Sequence, residues 1–266
     1  MLRVLTLNLW GEQGPVARRM EVCAAGLKAI APDVVALQEV REVEGKLPNQ
    51  AATLAAGLGY AHVYAPATPW GGGLEGVAIL AREILESAEA ELPGATDKER
   101  RVVLMARVGT ADGPVNVSTT HLNYRLGDGL TRERQVLALD AFVAAHPSDR
   151  PQILMGDFNA RPTSDEIRFL RGEVTLDGRR TYYQDAFARF HPDDPGYTWA
   201  RRNPYTAALA WLEPDRRLDY VFVTPMRSDG RGTIHLCRIV LAEPAPDGVF
   251  ASDHFALVAD VQLAPG

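Results

Sequence analysis

Six apolar stretches of the chain begin, end or break at a polar side chain that can do chemistry. Asn8 follows Val4-Leu5-Thr6-Leu7, Glu39 interrupts Val34 to Val40, and His121 stands near the end of Val115 to Leu122. Asp157 closes Ile153-Leu154-Met155-Gly156, with Asn159 two residues on. Asp219 lies near the start of Leu218 to Val223, and Asp253-His254 directly precede Phe255 to Leu263. One such residue is ordinarily a turn or a cap. Six from separate strands point to a common rim, at the strand ends where α/β proteins gather functional groups.

The residue types suit one chemistry. Glu39 is a hard carboxylate and Asn8 a neutral oxygen ligand, a set suited to Mg²⁺ or Mn²⁺. No Cys/His cluster has zinc spacing. A carboxylate beside His254, with Asp253 as its sequence neighbour, would fix the ring tautomer and favour the protonated form. A phosphoester repels anionic nucleophiles, so its hydrolysis needs charge neutralisation and a water held in line. A cation, an imidazolium and an amide meet the first need, and a carboxylate meets the second.

The elements that must position these groups follow from periodicity. Arg3 to Trp10 reads as a strand with Leu5, Leu7 and Leu9 on one face and Val4, Thr6 and Asn8 on the other. A helix carries Val16, Met20, Cys23, Leu27 and Ile30. Val34 to Val40 is a strand covered on both faces, with Glu39 in phase with Val35 and Leu37. Gln50 to Leu58 is a helix stopped by Gly59, and Ala61 to Tyr64 a strand. Pro66 to Gly73 excludes regular structure, and its Trp70 is either a substrate-contacting lid or folded back on the core. Val77 to Leu80, Val102 to Val108 and Val115 to Leu122 are strands. Along the last, Val115, Val117, Thr119 and His121 share a face. Leu130 to Ala145, Asp165 to Leu170 and Tyr182 to Phe190 read as helical, and Thr163 with Glu166 has the spacing of a capping box. Leu218 to Val223, Ile234 to Leu241 and Phe255 to Leu263 complete the strands. The order is no strict βαβ alternation, so packed sheets with helices outside are expected.

The 266 residues carry no linker, repeat or low-complexity run, and one domain over 1–266 is expected. The net charge of −6 argues against holding nucleic acid mainly through phosphates, yet leaves a nuclease open, because local charge governs a site. Cys23 and Cys237 are too few for a disulfide framework and read as buried small hydrophobes, although a bond between them stays open. No segment is apolar enough to span a membrane, and no signal peptide precedes the first strand. A cytoplasmic monomer is the expectation.

Thr6-Leu7-Asn8-Leu9-Trp10, Leu37-Gln38-Glu39-Val40, Thr119-Thr120-His121-Leu122, Gly156-Asp157-Phe158-Asn159-Ala160-Arg161-Pro162, Arg217-Leu218-Asp219-Tyr220-Val221-Phe222 and Ser252-Asp253-His254-Phe255-Ala256-Leu257 stand in one order. That series resembles the motifs of the endonuclease/exonuclease/phosphatase superfamily across essentially the whole chain. The resemblance implies an α/β fold, a four-layer sandwich of two mainly antiparallel sheets with outer helices, as in DNase I-like proteins. It also implies a metal-dependent phosphoester hydrolase. Asn8 and Glu39 would hold the metal, Asp157 would orient or deprotonate water, and Asn159 would position the phosphate or the water. His121 would donate to a phosphoryl oxygen, and Asp219 would brace the site or assist a metal. His254, oriented by Asp253, would be the general base or a stabiliser of developing charge.

One departure bears on substrate. Trp10 stands where abasic-site nucleases of the superfamily carry Asp. That favours a small phosphorylated molecule or a lipid headgroup as substrate, with a nuclease as the alternative and a silent binding domain as a third reading, which the full set of side chains opposes. Arg101 is read either as a salt-bridge residue or as a phosphate contact. Trp199 and Asn203, within the Arg- and aromatic-rich segment from Thr198 to Arg217, would contact a phosphorylated ligand or stacked bases, or the segment is simply solvated. Asn123 and Arg125 read as loop residues.

Overall fold

A period of two gives each central strand two apolar faces, and each face needs a cover. The computed structural model describes residues 1–94, 99–206 and 213–266. In chain order its elements are β1 (Leu2–Asn8), α1 (Val16–Ile30), β2 (Val34–Glu42), α2 (Gln50–Leu58), β3 (Ala61–Trp70), β4 (Gly73–Ala81), β5 (Ile84–Glu91), β6 (Val102–Val108) and β7 (Val115–His121). Then come α3 (Gly129–Ala145), β8 (Ile153–Asp157), α4 (Asp165–Leu170), β9 (Gln184–Asp185), α5 (Ala186–Phe190), β10 (Asp219–Val223), β11 (Ile234–Val240) and β12 (Ala256–Val261). They form two six-stranded sheets, ordered β11-β12-β1-β2-β4-β3 and β5-β6-β7-β8-β10-β9. Each sheet is antiparallel except at one pair, β1 with β2 and β7 with β8.

The sheets face each other across Val4, Ala36, Ile79, Leu104, Val117, Met155, Val221 and Leu257. The outer face of the first sheet, with Leu5, Leu7 and Leu37, packs on Cys23 and Leu27 of α1 and Leu54 of α2. The outer face of the second, with Leu154 and Phe222, packs on Leu139 and Val143 of α3 and Phe169 of α4. This is the four-layer α/β sandwich. Cys23 and Cys237 are buried in different layers, both free, with burial pushing each thiol up to about 12. Among the described residues no helix is long and apolar enough to cross a membrane.

Three local expectations are corrected. Pro66 to Trp70 is regular after all: β3 runs through it, with a register shift between Pro66 and Thr68. β3 is an edge strand, so its prolines leave no central ladder bond unmade. Residues 182–185 are not helical, because Gln184 and Asp185 pair with Val223 and Phe222 of β10. Thr163 and Glu166 form no capping box. Ser164 precedes α4, and the Glu166 carboxylate accepts instead from the buried Arg132 guanidinium at 2.6 Å, tying α4 to α3.

One glycine controls the approach of β7 to β8. Gly156 pairs with Thr120 at φ +147°, and a Cβ there would stand 2.1 Å from the Thr120 carbonyl oxygen. Gly156→Ala should therefore lower stability by roughly 1–3 kcal/mol, as overpacking does. A urea midpoint equal to that of the wild type would contradict this close approach.

Candidate active site

Sheet register builds the site. His121, Asp157 and Asp219 lie side by side on β7, β8 and β10, His121 paired with Asp157 and Asp157 with Asp219. From the opposite sheet, Asn8 at the end of β1 donates through Nδ2 to Glu39 Oε1 at 2.9 Å and to Asp157 Oδ2 at 3.0 Å. Beneath it Gln38 bridges the sheets, donating to Thr119 Oγ1 at 2.9 Å and accepting from Thr6 Oγ1 at 3.3 Å.

Glu39 arrives by a route that alternation does not foresee. A period of two turns it outward with Val35 and Leu37. The structure has a register shift between Leu37 and Val40, with Glu39 at φ +51°. This bulge in the left-handed region swings the carboxylate to the rim. There His121 Nε2 lies 4.0 Å from Glu39 Oε1 and 3.5 Å from Asp157 Oδ2.

His254 is held by Asp219, not by its neighbour Asp253. Nδ1 of His254 donates to Asp219 Oδ2 at 2.8 Å, and Nε2 is 3.8 Å from Asp157 Oδ2. Asp253 accepts from the Ser252 hydroxyl at 3.2 Å. Asp253 sits at a bend before β12, whereas Asp219 reaches the ring from the start of β10. Thr198 Oγ1 accepts from the backbone N–H groups of Leu218 and Asp219 and fixes that strand start. Asp157 Oδ1 accepts from the Asn159 N–H at 2.8 Å, while Asn159 Nδ2 donates to the Leu122 carbonyl at 3.1 Å.

Other expected roles change. Asn8 Oδ1 accepts from the Trp10 N–H at 2.9 Å, so Asn8 faces the carboxylates with its NH₂ group rather than as an oxygen ligand. Asn203 is wholly buried and donates to the carbonyls of Ser252 and Asp253 at 2.8 and 3.1 Å. It holds the loop carrying His254 and offers nothing to a ligand. Trp199 is buried under the Arg216 guanidinium, 4.7 Å from its ring centroid, and bridges His254 through its backbone. Residues 207–212 of that Arg- and aromatic-rich segment lie outside the described residues. Arg101 makes the ion pair of one reading, its Nε donating to Glu99 at 3.1 Å, and it also lines a cleft with Glu39 and His121.

Burial and neighbouring charge set the two imidazoles in opposite states. For His254, burial favours the neutral ring, but Asp219, Asp253 and Asp157 together hold it well above its ordinary 6.5. For His121, burial and then the charges of Arg101 and His254 hold it well below that value. Burial raises Asp157 to about 6, with the His254 cation opposing the rise. Burial, then Glu75 and Asp253, also raise Glu39.

Asp157, Asp219 and His254 offer donor atoms within 4.8 Å of one another, a possible metal triad. With its Nδ1 bonded to Asp219, the His254 ring also suits an ion pair with these carboxylates. Glu39, partly open to the cleft and crowded by other carboxylates, fits a hard cation, whose charge would relieve that repulsion.

The model of the Endonuclease/Exonuclease/phosphatase family matches residues 5–254. The chain belongs to that family. Among its relatives, Drosophila melanogaster Nocturnin is 32% identical over 163 residues, which is 56% of this chain and 25% of that protein. The structure of D. rerio TDP2 complexed with single-strand DNA product superposes with a TM-score of 0.78 at 20% identity, over 97% of each chain. A Beutenbergia cavernae endonuclease/exonuclease/phosphatase gives 0.73 at 27% identity, over 99% of this chain and 72% of that one. Members of the endonuclease/exonuclease/phosphatase family are typically hydrolases, and this member carries the phosphoesterase and nuclease type of fold.

Sequence reasoning missed several residues of the cleft in this family member. Glu75, Tyr124 and Arg125 line it with Trp70. Trp70 and Arg125 were legible as residues but not as neighbours, because the hairpin of β3 and β4 and the loop after β7 meet only in the folded chain. Arg19 was missed too. It is fully buried and donates to the carbonyls of Leu9, Gly11, Gln13 and Ala251, clamping the loops that follow Asn8 and precede Asp253.

Proposed function

We propose that this chain hydrolyses a phosphoester by in-line attack of water, with Asp157 as proton acceptor and His254 as a fixed cation. The observation that carries this is the His254–Asp219 bond at 2.8 Å beside the Asp157 carboxylate. An imidazolium paired with a buried carboxylate has no free base to offer, so the proton goes to Asp157, whose raised pKa suits a base working near neutrality. Water's oxygen bonds to phosphorus, its proton passes to Asp157, and the bond from phosphorus to the ester oxygen breaks. His254 and the neutral His121 donate to phosphoryl oxygens as charge develops. Asn8 orients the Glu39 and Asp157 carboxylates toward the same space. Glu39 would hold Mg²⁺ or Mn²⁺, which when bound supplies positive charge against the phosphoryl group.

The test is hydrolysis of p-nitrophenyl phosphate and bis-p-nitrophenyl phosphate with Mg²⁺, with Mn²⁺ and with chelator. Cleavage abolished by chelator supports the reading, and cleavage indifferent to chelator removes the metal from it. Glu39→Gln should raise the metal concentration that gives half-maximal rate. An unchanged requirement would reassign that ligand.

The pH profile has a predicted shape. Asp157 must be ionised, so the rate falls as pH drops through about 6. His254 must be protonated, so the rate also falls as pH rises past its elevated pKa. A plateau bounded on both sides is expected in kcat/KM, and a rate that climbs steadily into acid would remove Asp157 as the base.

A nucleic-acid substrate is a second reading. What supports it is the fold shared with D. rerio TDP2, whose structure carries single-strand DNA product.

A further inference from the structure

The hydrolytic groups come from two sheets, and only one sheet places its share by strand pairing. His121, Asp157 and Asp219 stand in register on neighbouring strands. Asn8, Glu39 and His254 belong to the first sheet, whose ladders end or break where they stand. The last pair of β1 with β12 is Thr6 with Leu257, and the pairing of β2 with β4 is interrupted between Leu37 and Val40. Chain beyond a ladder opens easily unless other bonds hold it. Two buried polar side chains from the outer helices supply such bonds, Arg19 of α1 and Gln50 of α2. We propose that Arg19 and Gln50 are positioning residues, which meet at the Gly11 carbonyl and hold Asn8, Glu39 and His254 as one body opposite the second sheet. The inference rests on the hydrolase reading for what those three groups do.

The bonds form one chain. Nη1 of Arg19 donates to the Leu9 carbonyl at 2.7 Å and to the Ala251 carbonyl at 3.1 Å. A single nitrogen thus joins the residue after Asn8 to the segment that leads to His254. Nη2 donates to the Gly11 carbonyl at 3.0 Å, and Nε to that of Gln13 at 2.9 Å. The same Gly11 carbonyl accepts from Gln50 Nε2 at 2.9 Å, while Gln50 Oε1 accepts from the Arg41 N–H at 2.9 Å. That N–H follows the bulge that carries Glu39. The path therefore runs from Ala251 through Arg19, Gly11 and Gln50 to Arg41. Gly11 stands at φ +48°, and a Cβ there would lie 3.2 Å from Arg41 Cγ, so the shared acceptor is itself closely packed.

Packing alone does not call for these residue types. α1 fills its inner face with Cys23 and Leu27, and burial acts against the Arg19 charge, with Asp253 leading the acids that oppose the effect. The hydrogen-bond partners of Arg19 are all main-chain carbonyls, so the guanidinium acts on backbone position. Its rigid fork reaches several carbonyls at once, which an ammonium cannot do. Gln50 brings one acceptor and one donor group, and both are used.

The experiment has a turnover arm and an exchange arm on the full chain. kcat and KM are measured on p-nitrophenyl phosphate and bis-p-nitrophenyl phosphate at saturating Mg²⁺. Amide hydrogen exchange is followed by mass spectrometry over residues 8–13, 38–42 and 250–255. Arg3→Met is the control, because Arg3 also ties β1 to β12, through Asp260, but at the far end of the ladder. Arg19→Met should lower kcat roughly 10²-fold with KM within about twofold of wild type, as misplacement of transition-state contacts does. Arg19→Lys keeps the charge and can bridge Leu9 and Ala251 from one nitrogen, so it should recover part of the loss and no more. Gln50→Met should lower kcat roughly tenfold. Arg19→Lys with Gln50→Met should lose less than the product of the single losses, since both act at Gly11. Exchange should rise in 8–13 and 250–255 together for the Arg19 variants, and in 8–13 and 38–42 for Gln50→Met. Arg3→Met should change neither kcat per folded molecule nor exchange in these segments.

Metal-dependent turnover with kcat per folded molecule unmoved by Arg19→Met and Gln50→Met overturns the positioning role and leaves the hydrolase reading standing. Full recovery in Arg19→Lys overturns it too, because charge rather than the bonds would then be what matters. If Arg19→Met does not fold, Arg19→Lys and Gln50→Met decide by the same readings. No turnover of either ester by the wild type sinks the hydrolase reading, and exchange then decides the network: a joint rise upholds it, and unmoved segments overturn it.

Discussion

Asp157→Asn lowers kcat by roughly 10²–10⁴, the usual worth of a positioned general base, and abolishes the acid limb of the pH profile. An amide keeps the volume and still accepts from the Asn159 N–H through its oxygen. It cannot take a proton from water, and its NH₂ would meet the NH₂ of Asn8. The same substitution should change folding stability little, because the lost Asn8 bond is offset by removal of a buried charge. A carboxylate whose pKa is raised in the folded state favours folding only while protonated. That contribution is present below the unfolded pKa and lost as pH rises through about 6. At neutral pH the wild type therefore carries a cost that Asn removes. Measured together, kcat and the urea midpoint at neutral pH separate the cases. A fallen rate with a little-changed midpoint is expected. A rate within tenfold of wild type would take the base away from Asp157.

The second large effect belongs to His254. His254→Ala should lower kcat by roughly 10²–10⁴, through loss of the cation that faces the phosphoryl oxygens. Asp219→Asn acts on the same function by another route. Without the carboxylate at 2.8 Å the imidazolium loses its bonded partner, so its pKa falls and the basic limb of the profile moves to lower pH. The double substitution should be little worse than His254→Ala alone, because the two residues act as a unit. Asp253→Asn removes a neighbouring charge but no hydrogen bond to the ring, so it should move the basic limb less than Asp219→Asn does; a larger shift would mean the pairing is misassigned.

Much of this was legible in the chain. The strands carrying Asn8, His121, Asp157 and Asp219 could be read because alternation over several residues fixes which face each side chain takes. Packed sheets with outer helices followed from the order of the elements and the four layers from the family resemblance, while Gln50 to Leu58 with its Gly59 stop came out with its observed bounds. What stayed hidden depends on contacts between distant segments. Glu39 broke its own period through a bulge. Asp253 looked like the partner of His254 only because it was next in line. Asn203 and Trp199 had the chemistry of ligand contacts, but burial gave them other work. Pro66 to Trp70 violated strand propensity locally, and only its place at a sheet edge allows it. Glu166 fitted a local capping rule until the buried Arg132 of α3 claimed its carboxylate.

The hydrogen bond from Asn8 to Asp157 joins residues 149 apart, and His254 comes from the last strand's approach. The hydrolytic groups are therefore gathered only when the two sheets dock, after β12 has been reached. A ribosome-bound fragment ending before residue 254 lacks the proposed cation, so on the proposed mechanism no turnover is expected until the approach to the last strand has been made. In refolding, recovery of turnover reports sheet docking, a step dominated by long-range pairing and therefore slow beside helix formation.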